Sequence, residues 1–210
     1  MSTRRRNEYK LHYFNMKGRG ELARLIMAYA KVPYEDIRYG MTDWPQQKAK
    51  MPNGQVPVLE WKGQFLTESL AIARFLARRH NLAGTDDWQW AKIDAVNDHI
   101  GNTFNDVRPV FYAGDDEEKK KEAIDNFFKN SVDPLLKSLD KHLEDNGADY
   151  IIGNQCTLAD LALFNFYDFI TGAFGADRVP KCQHVAALHA RIGQVPAIAA
   201  WMEKRPVTSM

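Results

Sequence analysis

Residues 9–25 read YKLHYFNMKGRGELARL. Tyr9–Phe14 is a strand candidate, and Glu21–Lys31 carries Leu22, Leu25, Ile26 and Tyr29 at helical spacing. Between them lies a basic turn punctuated by Gly18 and Gly20. A strand that passes through such a turn into a helix often carries a functional group. This one holds no cysteine, no serine and no phosphate-loop signature. The rest of the chain decides which chemistry belongs there.

Outward from this stretch, the first eighty residues alternate in type. Tyr34–Tyr39 follows Pro33 as a second strand, and Asp43-Trp44-Pro45 opens a short helix with Asp43 as its expected cap. Gln55–Glu60 and Gln64–Thr67 flank Trp61-Lys62-Gly63 as a hairpin. Ser69–Arg79 is helical, with Leu70, Ile72, Ala73, Leu76 and Ala77 as its buried stripe. The order βαβ, α, ββα predicts a thioredoxin-like α/β domain over residues 8–80. A doubly wound nucleotide-binding domain would need more parallel strands and a glycine fingerprint that is missing.

Residues 80–87 (HNLAGTDD) read as a linker, and beyond them strand signals vanish. Trp88–Tyr112, Glu117–Glu144, Leu158–Thr171, Val185–Ile192 and Ala197–Lys204 read as helices, an all-α domain over residues 88–204. The charge run Asp115–Glu122 places its acids before its bases, as a helix start favours. Thr157-Leu158-Ala159-Asp160 is close to a capping box, with Asp in place of the usual Glu.

Composition narrows the function. The 210 residues carry a net charge of +1, so no strong global field draws the chain to nucleic acid. No apolar run reaches the ~18 residues of a membrane span. The polar, basic opening MSTRRRNE reads as a solvated tail with no signal-peptide segment after it. The two cysteines, Cys156 and Cys182, form no CxxC, and the six histidines form no metal-ligand cluster. A reducing cytoplasm is the expected location.

YKLHYFNMKGRGELARL, YEDIR, DWPQQK, MPNGQVPVLE, TESLAIARFLAR, NQCTLADLAL and PAIAAWMEKRP together resemble the cytosolic glutathione transferases, and among them the sigma class. The segments occur in family order across nearly the whole chain from Tyr9. The resemblance implies transfer of glutathione to small hydrophobic electrophiles, as in detoxification, with glutathione as co-substrate and no metal. It also implies a homodimer, which no feature of composition shows.

The opening turn then has a chemistry. Glutathione brings its own sulfur, and the protein must hold that sulfur as a thiolate. A free thiol titrates near 8.5, so ionisation at pH 7 needs a shift of roughly 2 pH units, about 2.7 kcal/mol. A neutral tyrosine hydroxyl can donate one hydrogen bond to the anion. The family pattern puts that donor at Tyr13, with Arg19 beside it favouring the thiolate and a deprotonation-ready hydroxyl. The resemblance assigns glutathione binding to Trp44, Lys48, the cis-proline corner Gln55-Val56-Pro57, and Glu68-Ser69 at a helix start. It assigns the electrophile wall to Phe14 and to Phe104, Arg108, Phe111 and Tyr112 on one long helix.

In the run Ile93–Asn102, Asp94 and Asp98 match a metal-binding helix of the class, but Gly101 and Asn102 stand where acids are expected. A hard cation needs several charged oxygens, so no activating calcium or magnesium site is expected. Asn102 also stands where relatives place an aspartate that reaches glutathione in the neighbouring subunit. Two other functions stay open: a glutathione-dependent prostaglandin D isomerase, and a non-enzymatic ligand-binding or crystallin-like protein. A thiol-disulfide oxidoreductase is disfavoured, because Tyr13-Phe14-Asn15 occupies the place of its attacking cysteine.

Overall fold

The computed structural model describes residues 8–147 and 149–208. The basic tail read from the sequence lies almost wholly outside them. The chain forms two compact units, residues up to Leu82 together with Gln194 onward, and Ala83–Gly193.

The first unit contains β1 (Tyr9–Phe14), α1 (Glu21–Tyr29), β2 (Tyr34–Tyr39), α2 (Trp44–Lys48), β3 (Val58–Trp61), β4 (Gln64–Leu66) and α3 (Ser69–Arg79). Its sheet has the order β2-β1-β3-β4. β1 runs parallel to β2 and antiparallel to β3, and β3 pairs antiparallel with β4. A right-handed crossover through α1 is the usual way to join two such parallel neighbours. Burial explains the strand pairing. Tyr9 and Leu11 in β1 and Val58 and Leu59 in β3 are wholly buried.

α1 is not a one-sided helix. Every residue from Glu21 to Met27 is buried, because α3 packs on it and so does α10 (Pro196–Lys204), the last helix of the chain. α10 therefore completes the first unit, although the sequence reads it as the end of a run of helices.

The second unit is all helical among its described residues. It contains α4 (Asp87–Asn105), α5 (Arg108–Tyr112), α6 (Glu117–Phe127), α7 (Asp133–Asn146), α8 (Leu158–Phe174) and α9 (Gln183–Gly193). α8 is its axis, buried from Leu158 to Phe164 and apolar there except for Asp160, and packed against α4 and α9. The helix expected over Trp88–Tyr112 is broken at Asp106-Val107. Pro109 sits in the first turn of α5, where its missing N–H costs nothing, whereas a continuous helix would lose a hydrogen bond there. The helix expected over Glu117–Glu144 is continuous but widens into a π-helical turn at Phe128–Val132. The adjacent aromatics Phe127 and Phe128 are both buried and both meet the Phe174 ring, at 5.9 and 5.5 Å between centroids. A regular α-helix would turn one of two neighbours away.

Candidate active site

β1 carries Tyr13 to the end of the sheet, where the ring is 6% exposed. The β1–β3 ladder stops at His12 and Val58. Extending the antiparallel register by one step sets Pro57 opposite Tyr13. The Val56–Pro57 bond is cis, as the resemblance implies.

The turn after Tyr13 closes on its ring. A Cβ at Gly18 would stand 2.6 Å from Tyr13 Oη, and one at Gly20 would stand 2.5 Å from Tyr13 Cδ1. Gly18 also has φ +37, a region that disfavours side chains. Only glycines allow this approach, and the approach aims the intervening N–H at the phenol. Arg19 N–H donates to Tyr13 Oη at 2.9 Å. The oxygen is thus engaged as an acceptor, and its own proton remains for donation. Burial pushes Tyr13 above its ordinary value, opposed by the Arg19 N–H bond and by the charges of Arg19 and Arg24. The phenol is therefore a neutral donor at pH 7. Arg19 acts in the direction expected of it, toward easier loss of the proton, but burial outweighs it.

Phe14, the next residue, packs edge-on against Trp44 at 5.1 Å, and Trp44 lies 5.9 Å from Tyr39. This aromatic group ties α2 to the end of β1. Asp43 does not cap α2, because its own backbone is already helical and makes no side-chain bond to the helix. The exposed Lys48 lies with its stem over Gly54, where a Cβ would be 3.3 Å from Lys48 Cε. That places Lys48 beside Gln55-Val56-Pro57, of which Gln55 is exposed and Pro57 buried.

α3 begins without a side-chain cap. Glu68 holds φ 68 and ψ 113, is exposed, and makes no capping bond. A non-glycine residue in this region costs of order 1–3 kcal/mol and marks functional sites more often than ordinary turns. Beside it, the half-buried Ser69 offers a hydroxyl, and the first-turn N–H groups have no intrahelical partner. Such a start is suited to a carboxylate.

The residues expected to form an electrophile wall fall on two helices. Phe104 in α4 packs at 4.6 Å from Phe169 and 6.4 Å from Phe166. Arg108, Phe111 and Tyr112 are on α5, all exposed, and Tyr112 borders a cleft of about 710 Å³ with Pro109, Lys119 and Phe127. Asn102 is exposed on α4, and Asp94 and Asp98 are half-buried. Both cysteines are buried free thiols.

Sequence reasoning missed Glu21 and Arg24. Arg24 is wholly buried, its guanidinium carbon 5.6 Å from the centre of the Tyr13 ring. An acid and a base three residues apart inside an apolar helix was the available signal. Helical periodicity assigns such pairs to the solvent side.

The glutathione S-transferase N-terminal domain family matches residues 9–78, and its C-terminal domain family matches residues 101–205. The chain is 38% identical over 206 residues to haematopoietic prostaglandin D synthase of Gallus gallus, covering 96% of this chain and 98% of that one. The structure of the rat haematopoietic prostaglandin D synthase bound to a quinoline matches with a TM-score of 0.86 at 35% identity, over 96% of this chain and 99% of that one. A monomeric glutathione S-transferase of the hookworm Necator americanus matches with a TM-score of 0.89 at 30% identity, over 97% and 100%. A two-unit fold of this kind, with these relatives, defines a glutathione-dependent transferase. The chain belongs to the glutathione S-transferase family, and glutathione is its co-substrate.

Proposed function

We propose that Tyr13 is the thiolate-stabilising residue of a sigma-class glutathione transferase acting on small hydrophobic electrophiles in cytoplasmic detoxification. The observation that carries this is the Tyr13 hydroxyl, buried, neutral and already accepting the Arg19 N–H at 2.9 Å. Its proton is then directed to the sulfur. The thiol proton leaves to solvent, the sulfur lone pair forms the new S–C bond, and the displaced group departs with the electrons of the bond that breaks. Arg19 adds fixed positive charge near the anion.

Residues 8–80 serve as the glutathione domain. Val56 offers its backbone N–H and C=O to the cysteinyl part of the tripeptide, in the manner of an added strand. Gln55 and Pro57 hold that corner. Ser69 and the open start of α3 take the γ-glutamyl carboxylate, and Glu68 faces the neighbouring ammonium. Trp44 and Lys48 hold the glycyl end. Residues 88–204 supply the electrophile wall through Phe104, Arg108, Phe111 and Tyr112, and the glutathione domain contributes Phe14. The protein acts as a homodimer in which Asn102 approaches the glutathione of the partner subunit. Gly101 and Asn102 leave too few carboxylates for an activating divalent ion.

The test is Tyr13→Phe. Glutathione binding is retained, turnover falls about 10²-fold, as for loss of one oriented donor, and the bound thiol ionises at higher pH. An unchanged thiolate absorbance across pH would overturn the assignment. Asn102→Asp should tighten glutathione binding, and millimolar magnesium or calcium should leave the rate unchanged. A second reading, isomerisation of prostaglandin H to prostaglandin D, is favoured by the 38% identity to the avian synthase. Parallel assays with prostaglandin H and a chloronitroarene separate the two.

A further inference from the structure

The buried ions under the Tyr13 turn have no part in binding glutathione as described above. Arg24 donates from all three nitrogens of its guanidinium. Nη1 donates to the Met16 carbonyl at 2.7 Å and to Glu21 Oε2 at 3.2 Å. Nη2 donates to the Phe14 carbonyl at 3.4 Å, and Nε donates to Asp36 Oδ1 at 3.1 Å. The two carbonyls bracket Asn15, so one rigid planar group grips the chain on both sides of the residue that follows Phe14. Tyr13 is the residue before that grip.

Glu21 is itself held from the far end of the sequence. Its other oxygen accepts Trp201 Nε1–H at 2.9 Å and Arg205 Nη1–H at 3.1 Å. Glu21 is 1% exposed and Arg24 is fully buried. Taking such charges out of water is expensive, and apolar residues of similar volume often give equal or greater stability. What an apolar cluster cannot supply is direction. Five donors in a fixed fork specify where two carbonyls stand.

We propose that Arg24 is a positioning residue of the transferase reaction: it fixes the chain from Phe14 to Met16, and with it the aim of the Tyr13 hydroxyl. Trp201 of α10 and Arg205, the residue just after that helix, hold Arg24 in place through Glu21. The proposal rests on Tyr13 being the thiolate donor. Misplacing a reacting group by about 1 Å can cost ~10²-fold in rate, so a smaller shift of the hydroxyl has a measurable effect.

The experiment uses the full-length protein with glutathione and a chloronitroarene. It follows kcat, KM for glutathione, and the thiolate absorbance of bound glutathione against pH. Arg24→Lys keeps the charge and loses the fork. It should lower kcat on the order of 10-fold and move thiol ionisation to higher pH, with KM for glutathione changed less than about 3-fold. Trp201→Phe keeps a ring and removes one N–H, and should act in the same direction by a few-fold. In a Tyr13→Phe background neither change should move the titration further, because the effect passes through the hydroxyl. A wild-type titration and kcat in folded Arg24→Lys overturns the proposal. So do equal shifts with and without the Tyr13 hydroxyl. Should Arg24→Lys not fold, Trp201→Phe decides on the same readouts. Failure of the underlying assignment looks different: Tyr13→Phe alone would leave the titration where it was.

Discussion

α3 and α8 begin in opposite ways. At the start of α8, Thr157 donates its N–H and its hydroxyl to Asp160 Oδ2 at 2.7 and 2.9 Å, and Ile151 N–H donates to Asp160 Oδ1 at 2.8 Å. Every group there is buried and satisfied by the chain itself. At the start of α3, Glu68 is exposed, has a positive φ, and caps nothing. α4 and α6 follow the α8 pattern, capped by Asp86 and Asp116. These three helix starts of the helical unit serve stability, whereas α5 and α7 begin without a side-chain cap. The start of α3 has no side-chain cap, which is what the proposed binding of a ligand carboxylate there requires.

The largest effect expected from this contrast is on stability at α8. Asp160→Ala leaves three buried donors without an acceptor, at about 1–3 kcal/mol each. A loss of about 3–5 kcal/mol in urea unfolding is expected, with glutathione affinity of the folded fraction unchanged. The box also carries a pH signature. Burial raises Asp160 to about 6 from 3.8, against the pull of its hydrogen bonds. The folded chain thus holds this proton more tightly than the unfolded chain. That stabilisation is complete below pH 4 and is lost as pH rises through 6. Asp160→Asn should remove this fall between pH 4 and 6 from the unfolding free energy, and a fall that persists would place its source elsewhere.

At α3 the expectation reverses. Ser69→Ala should raise KM for glutathione about 10-fold, as for loss of a hydrogen bond to a charged group, while stability changes by less than about 1 kcal/mol. A larger loss of stability with normal binding would make Ser69 an ordinary cap. The smallest effect is for Glu68→Gly. Relief of a backbone costing about 1–3 kcal/mol is opposed by glycine's entropy, about 0.5–1 kcal/mol. The unfolding midpoint should therefore hold or rise slightly, while glutathione binds several-fold more weakly. Strong destabilisation would erase the distinction between the two helix starts.

How far the sequence discloses these features depends on how local their causes are. β1, β2 and α3 have the bounds their residue patterns indicate, and Thr157 and Asp160 form their box within four residues. The family resemblance points to Tyr13 and to Val56-Pro57, which stand side by side at the end of the sheet. The break before α5 was present in Pro109, but the longer apolar period masked it. Glu21 and Arg24 were out of reach for another reason. A single-face reading of α1 places them in water, and they are buried because α10 arrives from 180 positions away. The π-helical turn similarly answers to Phe174, on another helix.

The return of α10 to the first unit bears on how the protein is made. Synthesis releases the sheet, α1 and α3 first, with Glu21 and Arg24 still lacking Trp201 and Arg205. The helical unit, Ala83–Gly193, must then be translated, which at ~5–20 residues per second takes on the order of ten seconds. Throughout that interval the nascent chain carries a charged helix face that belongs under a lid not yet synthesised. A ribosome that stalls before Pro196 leaves behind a chain with every proposed contact to glutathione encoded and its buried ion set open to water. The last helix to emerge is the one that closes the first unit to be made.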